Sequence, residues 1–268
     1  MSETQPAVGA DRIAAAAARL REAAASGLPT APVRDLIGRD DIDAAYAVQL
    51  LLATDRVEAG AAVVGRKIGL TSEAVQRQLG VDQPDFGILF DDMEYADGSV
   101  VPFDAVLQPR VEVEIAFVLK ADLAEGTLDH AQVREAVDYA VAAIEICGSR
   151  VADWDISFGD TVADNASAGG YVLGAQRATL AELDPVAARM TMAIDGETVS
   201  TGTGAACLGD PVEAVVWLAR QARELGAPLR AGQIVLSGAL GPMRPVSPGA
   251  RVHATVTGLG PVSINFSA

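Results

Sequence analysis

From Val63 onward the chain is written in short apolar or alternating runs, "VVGRKIGL", "VEVEIAFVLK", "MTMAIDGETVS", "QIVLSG" and "RVHATVTG", punctuated by Gly, Pro and Asp. Runs of this length and texture predict strands. In "AIDGETV" the pair Asp195-Gly196 predicts a tight hairpin, because both residues tolerate the positive φ of a type I′ turn. The first sixty residues read differently. Segment 11–26 is alanine-rich, and segment 41–59 spaces Ile42, Tyr46, Leu50 and Ala53 along one side, so both predict helices. Two further helices are expected among the strands. One covers about 130–143, and the other runs from the Asp210-Pro211 start signal to just before Gly226. The pattern gives an α+β chain with a small helical region over 1–60 and a β-rich body over 61–268.

One run breaks the pattern. In "QPRVEVEIAFVLK" Glu112 and Glu114 share a face of a predicted strand, and that face continues with apolar Ala116 and Val118. Two like charges about 4 Å apart at an effective dielectric near 20 repel by about 4 kcal/mol, so a proton, an arginine or a metal ion must offset them. The alternative is an edge strand whose acids face water or Arg110. Glu145 in "AVAAIEICGSR" is a third isolated acid, for which a salt bridge to Arg150 or another buried base is the alternative. Three such carboxylates suit a hard divalent cation such as Mg²⁺ or Mn²⁺. Adjacent Arg66 and Lys67 must point to opposite sides of their strand, so one can face inward, and Gly65 and Gly69 leave the backbone open beside them. "GVDQPDFGILF" offers Asp82 and Asp85 as turn formers or as a general acid or base. "DWDISFGDTVADNASAGG" reads as a lid or a turn-rich connection, and "SGALGPM" as a weak glycine-rich anion loop without a lysine.

Composition narrows the options. Of 268 residues half are hydrophobic, which suffices for a sizeable core, and the formal net charge of -16 opposes nucleic-acid or anionic membrane partners. The alanine-rich start is interrupted by Arg19, Arg21 and Glu22, unlike a signal peptide, and the expectation is a soluble, cytoplasmic protein. Cys147 and Cys207 are too few for a disulfide framework or a cysteine-based zinc site and read as buried small side chains. His130 and His253 read as surface residues.

"GRKIGLTSEAVQRQLGVDQPDFG", "LQPRVEVEIAFVL", "DTVADNAS", "CLGDPVEAVVWLAR" and "SGALGPM" together resemble the 2-hydroxypenta-2,4-dienoate hydratases of meta-cleavage pathways, within the fumarylacetoacetate hydrolase superfamily. The resemblance runs from about residue 31 to the end. It implies a mixed β roll or barrel behind a smaller N-terminal region, and a Mg²⁺ or Mn²⁺ site at Glu112, Glu114 and Glu145. Lys67 matches the family's active-site lysine, Asp85 a family acid, and Ser167 lies in a segment resembling a substrate-proximal loop. The implied substrate is a small anionic 2-hydroxydienoate or 2-oxo acid, and the implied partners are further copies of the chain and a downstream aldolase. Sister 4-oxalocrotonate decarboxylases share much of this pattern. Their second substrate carboxylate would call for an extra cation, and here Arg110, Arg150 and Arg244 are the candidates. A C–C bond hydrolase of acylpyruvates and a non-catalytic scaffold partner are further alternatives.

Overall fold

The computed structural model describes residues 8–72, 76, 81 and 83–268. Helices come first: α1 (Ala10–Ser26), α2 (Arg34–Ile37) and α3 (Ile42–Glu58). Asp41 caps α3 by accepting the Ala44 N–H at 3.0 Å. Leu50, predicted to share the buried side of α3, is exposed, whereas Ala45, Val48 and Gln49 are buried. The inward stripe is therefore rotated from the expected one.

Strands begin at β1 (Val63–Gly69) and continue through β2 (Asp85–Phe90), β3 (Glu94–Tyr95), β4 (Val100–Val101), β5 (Arg110–Leu119), β6 (Val137–Cys147) and β7 (Ala168–Leu173). The predicted helix over 130–143 ends early. α4 (His130–Ala136) is capped by Asp129, and from Val137 the chain becomes β6. Pairing with β5 along the whole of β6, from Leu119 opposite Val137 to Arg110 opposite Cys147, overrides the helical leaning of that alanine-rich stretch. After α5 (Phe158–Ala163) and β7, the strands β8 (Arg189–Ile194) and β9 (Glu197–Thr203) form the expected hairpin, with Asp195 and Gly196 at φ 53° and 87°. The helix α6 (Pro211–Glu224) has Asp210 as its cap and proline at its start. β10 (Ile234–Leu236), β11 (Arg244–Pro245), β12 (Arg251–Val256) and β13 (Gly260–Phe266) complete the chain.

Two mixed sheets result. The larger has the order β2-β1-β10-β5-β6-β7-β3, with β11 added to β5, and the smaller β4-β13-β12-β8-β9. The end strands β2 and β3 of the larger sheet are joined only through residues 91–93, so the sheet curls and its two ends meet. Between the sheets lies the main core: Val111, Val113, Ile115 and Phe117 of β5 against Val252, Ala254, Val262 and Ile264, closed by the apolar face of α6. The initial helices form a second core with α5, through Leu20, Val48, Phe158 and Val162. The opposite face of β5 looks into the curl of the larger sheet, where the candidate site lies. No helix among the described residues is long and apolar enough to cross a membrane.

Candidate active site

β5 is a central strand, hydrogen-bonded to β10 and β6, so its acids cannot be edge residues facing water. Glu112 stands directly opposite Glu145 across the ladder, with Glu114 one step along the same face. Glu114 and Glu145 are fully buried, Glu112 partly. The Gly238 N–H donates to Glu114 Oε2 at 2.7 Å. The "SGALGPM" loop thus does hold an anion, a carboxylate of the protein itself. A Cβ on Gly238 would lie 2.4 Å from the Thr71 side chain, and its φ of 114° suits glycine alone.

Lys67 enters from β1. Its Nζ donates to the Ala166 carbonyl at 2.9 Å and lies 3.1 Å from Glu145 Oε1. Burial alone would lower its pKa, but Glu145 and the acids around it outweigh that and hold the ammonium well above the usual lysine value. Arg66, expected on the opposite side of the strand from Lys67, is also buried there. Its Nη1 donates to the Gly65 carbonyl, and burial lowers its pKa.

Asp85 opens β2 opposite Gly69, and a Cβ on that glycine would lie 2.2 Å from Asp85 Oδ1 and 3.3 Å from Lys67 Nζ. Gly69 therefore makes room for the acid and the ammonium together. Asp85 is 1% exposed, and burial raises its pKa against the pull of Lys67. Thr161 Oγ1 lies 3.4 Å from Asp85 Oδ2 and 3.3 Å from the Ser167 hydroxyl, so Ser167 joins the same cluster through Thr161. Asp82 lies outside the described residues.

Burial raises the pKa of Glu114 well above the carboxylate range, reinforced by Glu145 and Glu112. Burial likewise pushes Glu145 up to about 7, although Lys67 opposes it. Among the described residues, Asp85 Oδ1, Glu114 Oε1 and both Glu145 oxygens are buried without an aligned hydrogen-bond donor. Apart from Glu145 Oε1, which faces the Lys67 ammonium, these buried carboxylate oxygens have no partner, and such oxygens are what a cation needs. The residues present therefore fit a divalent ion. A geometric trio also forms from Glu112, Glu145 and Cys147, whose ligand atoms lie within 4.8 Å of one another. Cys147 comes two positions after Glu145 and so shares its face.

The "DWDISFGDTVADNASAGG" segment is no lid, because residues 158–164 are all buried. Its central feature is a left-handed turn, Asn165, Ala166 and Ser167 at φ 55°, 50° and 57°. For residues with a Cβ this costs about 1–2 kcal/mol each. What holds it is a set of polar clasps. The Asn165 side chain accepts the Ile88 N–H at 2.7 Å and donates to the Ile88 carbonyl at 2.9 Å, pairing with the free edge of β2 as a strand would. Gly87 permits the approach, since a Cβ there would lie 2.3 Å from the Asn165 carbonyl. Arg150 pairs with Asp164 and donates to the Asp164 and Ala168 carbonyls. Ser157 caps α5 in a reciprocal box with Asp160, and Asp160 also accepts the Val33 and Arg34 N–H groups, each at 2.8 Å. The turn delivers the Ala166 carbonyl to Lys67. The family resemblance points to Ser167, whereas the sequence pattern passes over Asn165, reads Cys147 only as a buried small side chain, and offers Arg150 to Glu145 or to a substrate carboxylate rather than to Asp164.

Residues 62–266 match the family model described as Fumarylacetoacetate (FAA) hydrolase C-terminal. The chain belongs to this family. It is 53% identical over 253 residues to a 2-keto-4-pentenoate hydratase of Paraburkholderia xenovorans (strain LB400), covering 94% of each chain. It is 43% identical to a 2-hydroxyhexa-2,4-dienoate hydratase of Comamonas testosteroni, covering 93% of this chain and 95% of that one. Among solved structures of the family, the 4-oxalocrotonate decarboxylase from Pseudomonas putida G7, complexed with magnesium and adipate, superposes with a TM-score of 0.93 at 32% identity, covering 98% of this chain and all of that one. The family fold agrees with the expected α+β architecture of a curled mixed sheet and a smaller helical portion.

Proposed function

We propose that the protein is a hydro-lyase that adds water to 2-hydroxypenta-2,4-dienoate or a 5-alkyl analogue, giving a 4-hydroxy-2-oxo acid. The observation that carries this reading is 53% identity, over nearly the full length of both chains, to relatives named as 2-keto-4-pentenoate hydratases. The decarboxylase likeness is weaker in sequence, at 32%. The arginines available for a second substrate carboxylate are engaged elsewhere: Arg150 with Asp164, Arg244 on the Val199 carbonyl, and Arg110 stacked 4.3 Å over the Trp154 ring.

Glu112, Glu114 and Glu145 would hold Mg²⁺ or Mn²⁺. When bound, the ion supplies Lewis acidity toward the substrate's carboxylate and 2-oxygen. The dienol is electron-rich at the carbon that must accept water, so protonation at C5 has to precede attack at C4. Lys67, a buried ammonium beside Glu145, offsets negative charge that develops on the substrate oxygens. Asp85, with its raised pKa and free Oδ1, is suited to carrying a proton between C5 and solvent. Ser167 and Thr161 orient Asp85 and the water. The enzyme is read as a cytoplasmic homo-oligomer whose product suits an aldolase. Exposed Leu50 and Val57, two turns apart on α3, support a subunit contact.

The test compares kcat/KM on 2-hydroxypenta-2,4-dienoate and on 2-oxo-3-hexenedioate. Hydration of the first with little CO₂ release from the second is expected. Rapid CO₂ release without hydration of the pentadienoate would replace this reading with the decarboxylase.

A further inference from the structure

We propose that Cys147 gives this site a second, thiophilic donor set, through which Cd²⁺ or Zn²⁺ is held by Glu112, Glu145 and Cys147 rather than by three carboxylates. The inference rests on the metal reading above and adds a residue to it. β6 sends Glu145 and Cys147 to the same face, and Cys147 pairs in register with Arg110, one step diagonally from Glu112. The thiol reaches Glu112 Oε1 at 3.6 Å. A tetrahedral ion with metal–sulfur and metal–oxygen distances of about 2.3 and 2.0–2.2 Å keeps its donors roughly 3.5 Å apart, so that pair already has the needed spacing. The remaining separations are all within 4.8 Å. The second observation is Glu145, fully buried, whose Oε2 meets no donor among the described residues while Oε1 faces the Lys67 ammonium at 3.1 Å. Glu114, in contrast, is drawn aside by the Gly238 N–H.

Ion chemistry decides which set is used. Mg²⁺ is hard and takes oxygen, leaving the thiol protonated, whereas Cd²⁺ and Zn²⁺ favour sulfur. In the proposed step the S–H bond breaks, its proton leaves to buffer, and a metal–sulfur bond forms. There is no change of oxidation state. Such an ion would sit displaced toward Cys147 and compete with Mg²⁺ for Glu112 and Glu145.

Cd²⁺ titration of the full chain, followed by the ultraviolet thiolate-to-cadmium charge-transfer band, tests this. The expected result is a band that saturates at a single equivalent and is reversed by excess Mg²⁺. It should vanish in Cys147→Ser and persist in Cys207→Ser, whose native thiol contacts the Ser237 carbonyl instead. Cd²⁺ affinity should fall at least about tenfold in Cys147→Ser, while the Mg²⁺-induced rise in Tm stays as in the wild type. Cadmium-113 NMR of the wild type gives the same answer without a variant, through a deshielded, sulfur-ligated resonance. Cd²⁺ binding with an all-oxygen resonance and no charge-transfer band would overturn the role of Cys147 and leave the carboxylate site standing. A band that survives excess Mg²⁺ or Cys147→Ser would also overturn it. Failure of both ions to bind would bring down the metal reading itself, and this inference with it.

Discussion

β5 and β12 carry nearly the same alternating script and put it to opposite uses. In β12 Arg251, His253 and Thr255 face solvent while Val252, Ala254 and Val256 enter the core. In β5 the polar positions are Glu112 and Glu114, and the face they occupy is closed over by β1, β2 and the turn at residues 165–167. The distinction lies in the residues C-terminal to the polar ones. β12 keeps alternating to its end, whereas β5 turns apolar on both faces at Ala116 and Val118. Polar residues on an open face cost nothing. On a closed face four carboxylates, Asp85, Glu112, Glu114 and Glu145, gather around the Lys67 ammonium, a standing penalty that protonation or a bound cation relieves.

The contrast can be broken most severely at Glu145. Glu145→Gln should weaken Mg²⁺ binding measured by calorimetry and lower kcat by roughly 100-fold or more, and near-normal values for both would remove it from the site. The next effect is on stability of the chelated protein. Glu114 and Glu145 titrate above their ordinary value in the folded chain, so the folded state retains protons that the unfolded state has released. Their contribution is fully present below about pH 4.5 and is lost as pH rises through about 7 and beyond. Denaturant titrations should show a loss of roughly 1–3 kcal/mol from pH 5 to pH 8, flattened by Glu114→Gln and recovered with Mg²⁺; a flat wild-type profile would contradict the pKa directions. Asn165→Ala removes both bonds to Ile88 and should cost about 1–2 kcal/mol and lower kcat more than it changes Mg²⁺ affinity. An unchanged kcat would make the clasp purely structural. At the other pole, His253→Ala on the open face of β12 should shift stability by no more than about 0.5 kcal/mol and leave kcat alone.

Legible in the sequence is whatever stands out against its own neighbours. Glu112, Glu114, Glu145 and Lys67 are charges inside apolar runs, and the structure gathers all of them, with Asp85, in one buried space. Cys147 escapes because a cysteine among Ile and Gly looks like one more small apolar side chain. Asn165 escapes for a different reason. Its partner is the unpaired edge of β2, which exists only once the sheet has curled, and no local pattern announces it. Residues 137–143 read as helix because an alanine-rich stretch satisfies both periods, and only β5 decides between them. Arg66 and Lys67 are expected on opposite faces of β1 with one of them inward, and both are buried because β1 is covered on both faces.

The clasps that close the site also date it within folding. Lys67 meets a carbonyl 99 residues away, Asn165 an edge 77 residues back, and Glu114 an amide 124 residues ahead. Contacts of such separation must absorb their loop-closure entropy before returning any stability. The β8–β9 hairpin, closed by Asp195-Gly196, and the β5–β6 pair, joined through α4, are contiguous in the chain and form without them. Lys67 therefore reaches its acids only when the curl completes, and an intermediate carrying Glu112 opposite Glu145 spends its lifetime without that counter-charge. Divalent cation present during refolding should shorten that lifetime, so that the ion acts as a folding partner as well as a cofactor.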